Sequence, residues 1–115
     1  MGIINHNAII VTSWHDKSIE AAKEKIIEIW DLYEDYHPVI LDSGVNVYKT
    51  IFIPPDGSKE GWAESDDGDE KRKKFTDWIE SNNNEESGIY LEVVEVSYGE
   101  YGSKIEYTNC KNRYE

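Results

Sequence analysis

The hydrophobic period changes once between Asn7 and Tyr33, and that change narrows the fold more than any motif does. Asn7-Ala8-Ile9-Ile10-Val11-Thr12 is a continuous apolar run rich in β-branched residues, the pattern of a strand buried on both faces. Directly after it, Ile19, Ala22, Ile26, Ile29, Trp30 and Tyr33 recur at three- and four-residue steps, laying one apolar stripe along a helix. Asp16 offers an N-cap carboxylate, and Pro38 stops the helix near Tyr36, because the residue before a proline is held out of helical geometry. Asp16, Glu20, Glu24 and Glu28 repeat every four residues as an acidic stripe on a different face.

The remaining chain repeats this alternation. Val39-Ile40-Leu41 reads as a short strand, Asp42-Ser43-Gly44 as a turn, and Val45 to Ile53 as a longer alternating strand that Pro54-Pro55-Asp56-Gly57 terminates. A polar loop runs to about Gly68. Asp67 and Glu70 resemble a capping box for a second helix whose stripe is Phe75, Trp78 and Ile79, fading in Asn82-Asn83-Asn84. Ile89 to Tyr98 is a strand whose apolar parity changes between Val93 and Val94, as a β-bulge there would explain. Gly99 to Gly102 turns, Ser103 to Thr108 adds an edge strand, and residues 109–115 form a frayed tail. The order β-α-β-β-α-β with a trailing strand predicts one α+β domain over residues 1–115. Its architecture is a split β-α-β, ferredoxin-like sandwich with two helices packed on one antiparallel or mixed sheet. The first and third strands are expected at its centre, running parallel.

Charge and cysteine content bound the function. With 24 acidic against 12 basic residues the net charge is −12, which argues against a DNA or RNA polymer as partner, since phosphate neutralisation by a basic footprint supplies most of such affinity. One cysteine, Cys110, makes no internal bridge and fits a reducing cytoplasm. No apolar run approaches the roughly 18 residues of a membrane span, and the N-terminus carries neither a secretory nor a myristoylation pattern, so no membrane partner is expected.

If the first and third strands were parallel, their outgoing loops would meet at one rim together with both helix N-termini. Thr12-Ser13-Trp14-His15 leaves the first strand, and residues 54–62, with Ser58, Lys59 and Trp62, leave the third. Free N–H groups at a helix start suit a phosphate. An indole face suits a nucleobase, at ~1–3 kcal/mol per stacked base. In this expected ligand site Trp14 and Trp62 stack on bases, Lys59 meets phosphate, and Thr12, Ser13 and Ser58 donate hydrogen bonds. The plainer alternative has Trp14 covering the end of the first helix and Trp62 pinning a long loop. Lys71-Arg72-Lys73-Lys74 is either a solvated helix face or a phosphate contact. Asp66, Asp67, Asp69 and Glu70 miss the spacing of a calcium loop and are better explained by helix capping.

Catalytic templates find no match. His6, His15 and His37 are isolated and fall in no metal-binding pair, and neither a nucleophile elbow nor a phosphate-binding loop occurs. Cys110 has no nearby histidine partner. The chain is therefore expected to bind without catalysis, with no cofactor and no metal.

Several segments taken together carry a resemblance. They are Asn5-His6-Asn7-Ala8-Ile9-Ile10-Val11-Thr12-Ser13-Trp14, Phe52-Ile53-Pro54-Pro55-Asp56-Gly57-Ser58-Lys59-Glu60-Gly61-Trp62, Ser65-Asp66-Asp67-Gly68-Asp69 and Phe75-Thr76-Asp77-Trp78-Ile79. From Asn5 to Tyr98 the chain resembles a group of small phage and prophage proteins, identified as the anti-CBASS sponge family. The resemblance implies a nucleotide-binding protein of immune evasion in the host bacterial cytoplasm. Such a protein is a homo-oligomer, a tetramer, that sequesters a cyclic dinucleotide such as 3′,3′-cyclic GMP-AMP. Two other functions fit the residues: an acidic protein-binding inhibitor or DNA mimic using the Asp16–Glu28 stripe, and a nucleotide-degrading enzyme holding a metal near Asp66–Asp69.

Overall fold

The structure is a computed structural model that describes residues 4–57 and 63–110. Strands β1 (Asn5–Ser13), β2 (Leu41–Asp42), β3 (Lys49–Ile53), β4 (Glu92–Gly99) and β5 (Gly102–Thr108) form one sheet in the order β2-β3-β1-β4-β5. Helices α1 (Asp16–Trp30) and α2 (Ala63–Asn82) cover one of its faces. The fold is α+β, two helices on a five-stranded antiparallel sheet, with the strand and helix order of a split β-α-β sandwich.

Every pairing is antiparallel, including β1 with β3, where Ile9 faces Ile53 and Ser13 faces Lys49. The expected parallel relation is overturned, and connectivity supplies the reason. The α1 crossover returns the chain in the direction of β1, the tight β2–β3 connection reverses it, and β3 then fills the slot between β1 and β2. A strand in that slot can only run against both.

Odd-numbered residues of β1 and β3 point towards the helices. Ile9, Val11, Ile51 and Ile53 meet Ile19, Ala22, Ile26, Phe75 and Ile79 there, with Leu91 and Val93 from the β4 side. Even-numbered residues point away. Ile10 is 37 % exposed and Phe52 46 %, so β1 is buried on one face rather than two. Trp30 and Trp78 complete the core from the helix stripes, each packing on Phe75.

Local boundaries moved for identifiable reasons. Helix α1 stops at Trp30 because Asp31 turns into the left-handed region, its N–H still bonded to Ile27, and Glu34–Tyr36 forms a separate 3₁₀ turn. Its N-cap is His15, whose side chain makes no capping bond; Asp16 lies in the first turn and pairs with Lys49 instead. Asn46 and Val47 both have positive φ, 54° and 55°, and Tyr48 N–H bonds to Val45 O, so the β2–β3 reversal pivots there and shortens both strands. Helix α2 begins at Ala63, which puts the Asp67–Glu70 pattern inside it.

In β4 the inward series Leu91, Val93, Glu95, Ser97 keeps its parity. The apparent switch after Val93 reflects polar residues placed under α2; the irregularity of register lies between Glu95 and Val96, opposite β5. Asn109 is not frayed, because its side chain accepts from Val93 N–H at 2.8 Å and donates to Leu91 O at 2.7 Å.

Candidate functional site

The end of β1 builds an aromatic ledge. Ser13 is fully buried; its hydroxyl donates to Tyr90 O and accepts from His15 N–H at 3.0 Å. Ser18, on the first turns of α1, accepts from Tyr90 N–H at 2.8 Å and lies 2.7 Å from His15 Nδ1. Two serines thus hold both backbone groups of Tyr90 just before β4 begins. That places the phenol against Trp14, with ring centroids 5.6 Å apart and planes 23° from parallel. His15 closes the cluster, 5.2 Å from Trp14 and 5.5 Å edge-on from Tyr90. Trp14 remains 49 % exposed, so one indole face is backed by protein and the rest is open.

Of the expected ligand residues, Trp14 is positioned to stack a planar group. Ser13 is not available to a ligand, since burial and the Tyr90 carbonyl occupy its hydroxyl. Thr12 stands on the open sheet face with its hydroxyl 3.0 Å from that of Thr50. Ser58, Lys59 and Trp62 lie outside the described residues. The β3 exit that leads to them is at the other end of the sheet from Trp14: Ile53 pairs with Ile9, four residues before Ser13, roughly 13 Å back along the strand. Within one subunit the antiparallel pairing places the ends of β1 and β3 towards opposite ends of the sheet, so the parallel strand ends on which a common rim was expected are not present. Tyr90 and Ser18 belong to the ledge without any motif in the sequence that marks them. Outward parity was the available signal, since Tyr90 continues the even-numbered series of β4 one step beyond its ladder.

The basic cluster is internally neutralised. Lys71 pairs with Asp67 at 2.9 Å, Lys73 with Asp77 at 3.0 Å, and Lys74 with Glu70 at 3.8 Å. Arg72 points inward, only 9 % exposed, and meets Asp69, Asp56 at 3.7 Å and Glu95 at 3.6 Å. Gly68 makes this possible: a Cβ there would come 2.3 Å from Asp56 Oδ2. Glu95 also accepts from Asn7 at 3.2 Å. Burial nonetheless raises its carboxyl above the ordinary carboxylate range, against the opposing effects of Asn7 and Arg72. Among the described residues no group of three or more His, Cys, Asp and Glu side chains gathers as a metal site.

A second, apolar recess of about 290 Å³ opens at the far end of the sheet between Ile26, Trp30, Tyr36, Phe52, Pro54 and Pro55. Neither the family models, the curated proteins nor the solved structures contain a match to this chain. Among the described residues no helix is long and apolar enough to cross a membrane.

Proposed function

We propose that this chain is a non-catalytic binding protein that sequesters a cyclic dinucleotide such as 3′,3′-cyclic GMP-AMP, and so blunts bacterial anti-phage defence from within the host cytoplasm. The observation that carries the reading is the ledge: a half-exposed indole, pre-stacked on Tyr90 and fixed by Ser13 and Ser18. A rigid aromatic face binds a base without the entropy loss of ordering itself, and stacking contributes ~1–3 kcal/mol per base. The uncapped start of α1 lies beside it, offering backbone N–H groups to a phosphate. The resemblance over Asn5 to Tyr98 points to the same ligand class. A ligand with two bases and two phosphates exceeds one ledge, so a homo-oligomer joins ledges from different subunits.

Thermal denaturation against a panel of cyclic nucleotides tests this. A ligand at a hundred times its dissociation constant stabilises by ~2.7 kcal/mol, a readily visible shift. The shift is expected for a cyclic dinucleotide, is lost in Trp14→Ala without a lower melting point, and the ligand is recovered intact after denaturation. An unmoved melting curve across the panel, or recovery of a cleaved product, rejects the proposal.

One observation favours a second reading. Glu20, Glu24 and Glu28 are all exposed along α1, a carboxylate row that suits a basic protein partner. Under that reading, reversing Glu20 and Glu24 to lysine abolishes binding to a basic nuclease and removes its salt dependence, while nucleotide binding is untouched.

A further inference from the structure

Among the described residues no helix or loop covers the sheet face turned away from the helices. Its outward positions are His6, Ala8, Ile10 and Thr12 on β1, Thr50 and Phe52 on β3, the even-numbered residues of β4, and Leu41, Ser103, Ile105 and Thr108 on the flanking strands. Ile10, Phe52, Tyr98 and Ile105 are exposed there, Ile105 by 64 %. Val94 and Val96 lie between them. In a chain whose residues are 31 % charged, Glu92 is the sole Asp, Glu, Lys or Arg among these outward positions. An aromatic pair stands at each end of the β1–β4 ridge. His6–Tyr98, with centroids 5.1 Å apart, stands at one end and Trp14–Tyr90 at the other, roughly 27 Å away.

We infer that this face is an isologous interface on which a second copy of the chain packs, sheet on sheet. The occupant follows from charge. Each copy carries −12, so two copies repel over most of their surfaces, and this face is where they can meet with almost no like charge opposed. Area agrees. The five strands, spaced ~4.8 Å apart and with β2 and β3 shorter than the ~30 Å β1, present a flat footprint of roughly 500 Å², which the relief of the exposed Ile, Phe and Tyr side chains carries towards the ~800 Å² per partner of a stable interface. Stacked sheets sit ~10 Å apart with their inner side chains interdigitated, and short β-branched and aromatic residues such as Ile10, Phe52, Val94 and Val96 suit that spacing. Pairing through sheet edges is disfavoured, because β2 has two ladder residues and β5 is irregular in register and carries Lys104 and Glu106. The inference rests on the sheet face alone and stands whether or not the ledge binds a nucleotide. If it does, the dimer brings the ledges of two subunits to the margins of one interface.

Sedimentation velocity on the full chain at micromolar concentration is expected to give the mass of two copies. Phe52→Glu puts two extra carboxylates into the paired face and is expected to weaken association roughly 100-fold or more, giving a folded monomer by circular dichroism. A monomeric wild type, which includes the case of a face reserved for a different protein, overturns the inference. So does a folded Phe52→Glu variant that remains dimeric. If Phe52→Glu does not fold, a crosslink decides. In a Cys110→Ser background, Ile10→Cys is expected to join two chains through a bismaleimide spanning roughly 10–15 Å, while Glu24→Cys on the helix side does not. Equal joining at both positions, or joining only at position 24, overturns it.

Discussion

The two faces of the sheet reverse the usual distribution of charge. The covered face, beneath α2, holds Arg72 and Glu95 together with Asn7 and Ser97, all largely removed from water. The open face holds Ile10, Phe52, Val94, Val96 and Ile105 and a single carboxylate, Glu92. Burial inside one subunit and apolar character therefore answer different demands. The polar network under α2 ties that helix to the sheet, since Arg72, steadied by Asp69 on its own helix, reaches both Asp56 after β3 and Glu95 on β4. The apolar open face, with the charge carried elsewhere, is the one on which we infer that a second copy packs.

The largest effect is expected from Arg72→Met, which leaves Glu95 buried without its cation and costs about 3 kcal/mol of stability in urea unfolding. Combining it with Glu95→Met should recover much of that loss. If the double variant is no better than the single, the network does not act as a unit, and the contrast between the faces reduces to hydrophobic packing. Gly68→Ala comes next. Helix propensity alone favours alanine by ~1 kcal/mol, but the collision with Asp56 should reverse the sign and destabilise by about 1–2 kcal/mol. A stabilised Gly68→Ala would show that Asp56 moves freely and that the covered network is loose.

Val47→Gly touches neither face and calibrates both. It converts the Asn46-Val47 turn into Asn-Gly at two positive-φ positions, and a melting-point rise equivalent to about 1 kcal/mol is expected. The smallest effect is a slope. The folded carboxyl of Glu95 is raised, mainly by burial, so the folded state keeps its proton at pH values where the unfolded chain has released it. Between the ordinary carboxylate range and that raised value the folded state binds more protons, and stability falls as pH rises. Above the raised value this penalty is complete; below the ordinary range it is absent. Glu95→Gln should remove that part of the decline from denaturant midpoints measured across the acidic range, whereas Glu92→Gln on the open face should leave it in place.

Much of the fold was legible in the residues themselves. The three- and four-residue steps of Ile19, Ala22, Ile26 and Trp30, and those of Phe75, Trp78 and Ile79, define helix faces by their own period, and Pro54-Pro55 closes β3 wherever the strand is placed. The candidate site was legible only in part. Trp14 stands out because no helix stripe explains it, but the hydroxyl of Ser13, which its place in the chain offers to a ligand, holds Tyr90 in the fold. The parity change between Val93 and Val94 suggests a β-bulge because the cation that meets Glu95 at an inward position comes from residue 72, on a different element.

Sequence alone determined the order of elements, the acidic surface and the two helical stripes, since each follows from neighbours within a few positions along the chain. Tertiary structure decided which face of an apolar strand is covered, that β1 and β3 run opposite ways, and that Trp14 meets Tyr90. The physical reason is that a period of two marks two faces without ranking them. When both parities are apolar, as in Ala8-Ile9-Ile10-Val11, only the packing of distant elements chooses between them.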